Sequence, residues 1–129
     1  MTDGAIQLVR EWHDAVNNGD TEGLAGLVTD DVEVGGPRGS AHGRDVLIDW
    51  VARTGIRMEP TDWYQRGETV IVCQRAAWPG EDGMPGVPQK VSSVFTFRDG
   101  RIAGVARYGD LVTAFREAGL AETDRVDVE

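Results

Sequence analysis

Between residues 3 and 18 the apolar side chains of Ala5, Leu8, Val9, Trp12, Ala15 and Val16 recur at three- and four-residue spacing, with Arg10, Glu11, Asp14 and Asn17 outside the stripe. That period places them on one face of an α-helix and leaves His13 on its charged flank. Gly19 supplies a left-handed stop, and Asp20 caps a second, antiparallel helix in which Leu24, Leu27 and Val28 share a face. Helical spacing returns at Val46, Leu47, Trp50 and Val51 and ends at Gly55, which predicts a third helix over about 43–54.

From Arg57 onward the period shortens to that of strands. "RMEPTDWYQ" and "ETVIVCQRAAW" are joined by a tight turn at Arg66-Gly67, and Pro60 marks the first as an edge or bulged strand. "KVSSVFTF" and "RIAGVARY" flank Asp99-Gly100, a strong signal for a two-residue hairpin. Such a turn sets Phe97 opposite Ile102, Phe95 opposite Gly104, Ser93 opposite Ala106 and Val91 opposite Tyr108. One face then mixes Phe95 and Phe97 with Ser93, Gly104 and Ala106, which are too small to fill a core layer. Either Trp12 and Trp50 fill the gap from the helices, or a ligand-sized cavity lies among these residues.

The central strand carries Val70 and Val72 on one face and Ile71 and Cys73 on the other, so both faces of the sheet need cover. Helices supply one cover, and a homodimer through the sheet is the expected source of the other. Between the hairpins, the glycine-rich segment from Trp78 to Gln89 is expected to form either a mobile flap near a pocket mouth, with Trp78 and Met84 as its apolar contacts, or a long surface hairpin.

Length, charge and cysteine use narrow the classes. The 129 residues fit one domain, 1–129. One cysteine cannot form an internal bridge, and Cys73 inside "TVIVCQ" reads as a buried hydrophobe rather than a reactive thiol; both point to a reducing, cytoplasmic setting. A net charge of −9 and a single lysine argue against nucleic acid as a partner. "MTDGAIQLVREWHDAV" is charged throughout, which argues against a secretory signal and a membrane span. Two histidines and one cysteine without ligand spacing predict no metal site, and without a phosphate loop, nucleophile elbow or dinucleotide fingerprint no cofactor is expected.

Candidate chemistry gathers at few positions. "VEVGGPRGSAHGRD", residues 32 to 45, reads as a glycine-rich bend from strand to helix. His42 within it titrates near neutral pH if it lines a pocket mouth; otherwise it is an exposed or capping loop residue. Arg44 and Asp45 serve the first turn of the third helix. Arg75 interrupts an apolar strand, and a guanidinium facing a pocket needs a carboxylate partner. Alternation alone does not decide whether Arg75 or Gln74 points inward.

The segments "VNNGDTEGLAGLVTDDVEV", "GPRGSAHGRDVLIDWV", "FTFRDGRIAGVARYGDL" and "FREAGL", in that order, resemble the SnoaL-like branch of the nuclear transport factor 2-like superfamily. The resemblance implies an α+β fold in which a cone-shaped, curved antiparallel sheet wraps around three N-terminal helices, with homodimerisation through the sheet. It also implies a small hydrophobic molecule in the cone, with cofactor-independent isomerase, hydrolase or cyclase chemistry, or else noncatalytic binding or assembly. Compared with the ketosteroid isomerases, Gly36 stands before Pro37 where their general base would be, Trp12 falls at their tyrosine and Ser93 at their second aspartate, which disfavours that mechanism. Compared with the limonene-epoxide hydrolases, "RYGDL" keeps Tyr108, Asp110 and Leu111, and "CQRAAW" keeps Arg75 with Ala77 in place of an aspartate. This similarity favours an inward Arg75 paired with Asp110 as general acid or base, and Tyr108 or His42 as hydrogen-bond donor. The alternative role of Asp110 is to cap a last helix, "LVTAFREAGL".

Overall fold

The computed structural model describes residues 4–36, 39–78 and 88–128. Helix α1 (Gly4–Asn18) buries Ile6, Val9, Trp12, His13, Ala15 and Val16. The buried face is rotated from the expected stripe, and His13, one turn beyond Val9 and one before Val16, lies in the core rather than on the charged flank. Its position fits the helical period; only its polarity argued for solvent. The Asp20 carboxylate accepts a 2.9 Å bond from the Gly23 amide and starts α2 (Thr21–Leu27), whose Leu24 is buried.

Strands β1 (Val28–Gly36) and β2 (Gly39–His42) pair antiparallel with Gly36 opposite Gly39. The segment read as a bend therefore contributes two antiparallel paired strands. A Cβ on Gly35 would lie 2.8 Å from the Ser40 Cβ, so only glycine permits this approach. Helix α3 (Arg44–Thr54) follows, and Arg44 reaches back to pair with Asp30 at 2.7 Å and to donate to the Val28 carbonyl at 3.1 Å, tying α3 to β1.

Strands β3 (Arg57–Arg66), β4 (Thr69–Ala77), β5 (Gln89–Arg98) and β6 (Arg101–Tyr108) form an antiparallel meander. The first turn falls on Gly67 and Glu68, with Arg66 opposite Thr69, one residue later than expected. Pro60 sits at a bulge, as β-ladder chemistry requires of a residue without an N–H. After α4 (Leu111–Ala118) and a short 3₁₀ turn (Glu122–Asp124), β7 (Arg125–Val126) completes a curved, unclosed seven-stranded sheet of order β2-β1-β6-β5-β4-β3-β7, in which β1 runs parallel to β6. This is the α+β architecture expected, a curved sheet around three N-terminal helices, with a fourth helix behind it.

The β5–β6 hairpin departs from its expected register. Asp99 and Gly100 turn with φ of 54° and 77°, and Phe97 faces Ile102 as expected. The register then shifts between Thr96 and Phe97, so that Thr96 faces Gly104, Phe95 faces Val105, Ser93 faces Arg107 and Ser92 faces Tyr108. An extra β6 residue in a bulge reverses the faces of every residue beyond it. Gly104 and Ala106 thus leave the concave side, and Val105 and Arg107 replace them.

Along β4, Val70, Val72, Gln74 and Ala76 are buried towards the helices, while Ile71 and Cys73 pack outward with Tyr64, Val94 and Ala106. Helix α4 lies over that outer face, with Phe115 edge-on to Tyr64 at 5.0 Å and Ala114 fully buried. Of the two outward apolar residues that suggested a second copy, Ile71 is covered by the same chain and Cys73 is half-buried beside an open hollow. Residues 79–87, Met84 among them, lie outside the described residues, and with them most of the expected flap.

Candidate functional site

The concave side of the sheet encloses a cavity of about 570 Å³, walled by Trp12 from α1, Leu47 and Trp50 from α3, Trp78 after β4, and Ser93, Val105 and Arg107 from the β5–β6 hairpin. Its lining is mostly apolar, and its polar groups are few and unusual. The Arg107 guanidinium lies between two indoles, 5.4 Å from the Trp50 ring centre and 5.1 Å from that of Trp78. Such stacking satisfies the faces of the guanidinium and leaves its edges to hydrogen-bond. Its Nη1 is buried without a hydrogen-bond partner, and burial, with no charged neighbour among the causes, pushes the guanidinium below its ordinary pKa. The Trp12 Nε1 is likewise buried and unpaired. Two side chains of the cavity wall therefore each carry an unpaired buried donor, which costs free energy as long as it stays unpaired.

Behind the wall runs a buried polar chain. The Ser93 Oγ lies 2.7 Å from the Gln74 Oε1, the Gln74 Nε2 lies 2.8 Å from the His13 Nε2, and the His13 Nδ1 lies 2.8 Å from the Val9 carbonyl. His13 is packed among Trp12, Trp63 and Phe95, at ring separations of 5.1, 5.9 and 6.1 Å, and this burial lowers its pKa to about 4. It is neutral at physiological pH.

A family model described as a SnoaL-like domain matches residues 9–105. The chain belongs to the SnoaL-like domain family. No curated protein matches this SnoaL-like chain. Among solved structures it resembles an NTF2-like protein of unknown function from Cytophaga hutchinsonii, with a TM-score of 0.74 at 16% identity over 89% of this chain and 97% of the other. TerC, co-crystallised with polyporic acid, gives a TM-score of 0.74 at 20% identity over 90% and 98% of the two chains. SalBIII, an epoxide hydrolase/cyclase-like enzyme in pyran ring formation in salinomycin, gives 0.71 at 17% identity over 84% and 92%. These similarities establish the fold alone.

Within the SnoaL-like domain the expected site residues divide between the two faces of the sheet. Trp12, Trp50 and Ser93 line the cavity, and Phe95 is fully buried beside it, edge-on to Trp12 at 5.1 Å. Gly104 and Ala106 do not line it: the bulge turns Gly104 against Thr96 and Ala106 into the outer cluster. Gln74, not Arg75, points inward, and Arg75 is exposed on the outer face. Asp110 caps α4, accepting from the Thr113 amide at 2.7 Å and its hydroxyl at 3.0 Å; the amide bond chiefly holds its pKa low. Arg75 and Asp110 border a second hollow that shares Val91 and Gly109 with the cavity, and no ion pair joins them among the described residues.

Tyr108 stands at the rim, touching both the cavity and the outer cluster, with its phenol pKa raised by burial. His42 is an exposed β2 residue whose Nε2 lies 3.4 Å from the Glu33 carboxylate, outside the cavity. Arg107 on the cavity wall and His13 buried behind it are residues that sequence reasoning missed, whereas Gln74 is one of the two alternatives it left open. The one available signal for Arg107 was Gly104, because a glycine inside a strand marks a bulge. Among the described residues no cluster of three His, Cys, Asp or Glu side chains could hold a metal ion, and no helix is long and apolar enough to cross a membrane.

Proposed function

We propose that this SnoaL-like domain binds a small, largely apolar organic anion in its cone, with Arg107 as the anchor. The observation that carries this reading is the Arg107 guanidinium itself, stacked between Trp50 and Trp78, with a buried donor that no protein group satisfies. A half-buried cation held by two rings is a receptor for a planar anion: the indoles exclude water, and the free edge donates to a carboxylate, enolate or phenolate oxygen. Trp12, on the same cavity wall, carries a second unpaired donor. TerC, which shares the fold, was crystallised with polyporic acid, and this supports an organic acid as the class of ligand.

The described lining residues include no carboxylate, imidazole or thiol. Noncatalytic binding is therefore the leading reading, and any chemistry in the cone would draw on the donors, which stabilise negative charge developing on a bound oxygen. Titration calorimetry with 2-naphthoate and polyporic acid tests the anchor. Arg107→Gln should weaken both by about ten- to a hundred-fold, the range of a charge-assisted hydrogen bond, and 2-naphthamide should bind the unaltered protein more weakly than 2-naphthoate. Equal affinity of the two proteins for 2-naphthoate would remove Arg107 from the site.

A further inference from the structure

The chain from Val9 to Ser93 has a direction, which follows from proton counting. A backbone carbonyl only accepts, so the 2.8 Å bond from His13 Nδ1 to the Val9 oxygen places the imidazole proton on Nδ1. In the neutral ring Nε2 is then a bare acceptor, and the Gln74 group 2.8 Å away must be its amide nitrogen. That orientation turns the Gln74 carbonyl oxygen to Ser93, whose hydroxyl donates to it at 2.7 Å. Serine has one hydroxyl proton, and it is spent inside the wall. Only the lone pairs of Ser93 remain for the cavity that it lines.

Ser93 sits directly opposite Arg107 on β5 and β6, a pairing that sets their Cβ atoms about 5 Å apart on one face. A strict acceptor and a strict donor therefore rise from paired positions on one wall of a mostly apolar cavity, whose other polar side chains include Trp12, Gln89 and Tyr108. We infer that the cone selects organic anions that carry a protonated hydroxyl or N–H a few bonds from the anionic oxygen, the oxyanion lying on Arg107 and the neighbouring proton donated to Ser93. This rests on the anion reading above and adds to it the second group of the ligand. An ether or a second anionic oxygen at Ser93 would meet lone pair with lone pair and leave a buried acceptor unsatisfied. Gln74 and His13 are positioning residues that act through Ser93. The low pKa that burial gives His13 keeps the chain in this orientation at neutral pH.

The test compares 4-hydroxy-2-naphthoate with 4-methoxy-2-naphthoate by calorimetry; the meta spacing prevents the hydroxyl from bonding its own carboxylate. The unaltered protein should prefer the hydroxy compound roughly ten-fold, the value of one hydrogen bond plus the relief of an unpaired acceptor. In Ser93→Ala the preference should fall to near one. It should also fall in Gln74→Met, which leaves the serine in place but frees its proton to turn towards a methoxy oxygen, an effect that a merely structural role would not produce. A ratio near one in the unaltered protein, with 2-naphthoate still bound in an Arg107-dependent way, overturns this inference alone; so does a ten-fold preference retained in a folded Gln74→Met variant. Absence of naphthoate binding, or binding indifferent to Arg107, overturns the anion reading itself.

Discussion

His13 is the residue whose environment differs most from its chemistry. An imidazole buried among three aromatic rings pays desolvation when charged, which is the main reason its pKa falls from 6.5 to about 4. Above pH 6.5 both folded and unfolded chains hold it neutral, and it imposes no pH dependence. As pH drops from 6.5 towards 4 the unfolded chain takes up a proton that the folded chain refuses, so stability is lost across that window. The loss approaches about 2 to 3 kcal/mol near pH 4.5. Urea unfolding of the unaltered protein and of His13→Gln at pH 7 and pH 4.5 should show this extra loss in the former only, since the carboxylates titrate in both. Parallel profiles would contradict it. Arg107 presents the complementary case: a permanent charge half-buried between two indoles, where its stacking matters more than its strand propensity.

At the scale of elements, the hairpin and the last helix decide which side chains reach the cone. The Asp99-Gly100 turn is legible because two successive positive φ angles demand such residues. The bulge at Ala103, three residues after Gly100, was not read, and it reverses the inward and outward sets of β6. Gly104→Ala therefore should not alter 2-naphthoate affinity, because the new Cβ meets the Thr96 hydroxyl at 2.6 Å on the other face and asks only for a rotamer change there. A fall in affinity equal to that of Arg107→Gln would restore Gly104 to the cavity. Asp110 belongs to the same lesson. Its two bonds to Thr113 are those of an N-cap. Asp110→Ala should lower the thermal midpoint while leaving ligand affinity unchanged, whereas loss of binding without loss of stability would return it to the site.

Across the whole molecule, the sheet works as a partition between a concave face that holds the cavity and a convex face partly covered by α4. Phe115 and Leu111 join Tyr64, Ile71 and Val94 in the outer cluster. A Leu111→Asp, Phe115→Asp double variant should uncouple α4, expose that apolar surface and promote self-association in sedimentation at tens of micromolar, while the cone retains its affinity for 2-naphthoate. If the variant sediments as the unaltered protein does, α4 is not the cover that keeps this face apart from other chains.

Periodicity in the sequence alone determined the three N-terminal helices, the four-stranded meander and the Asp99-Gly100 turn, because spacing of apolar residues is a local property that one-sided burial imposes on any helix or strand. It also marked Trp12, Trp50 and Ser93 as cavity residues. Which of Gln74 and Arg75 turns inward was decided only in the folded chain, since both faces of β4 are apolar and the choice depends on what packs on each. The same holds for the position of Arg107, which follows from one extra residue in a ladder, and for the burial of His13, whose partners Gln74 and Ser93 lie 61 and 19 residues apart along successive bonds of the network. Bulges and long-range hydrogen bonds leave almost no periodic trace, because their energy comes from groups brought together only when the sheet has closed over the helices.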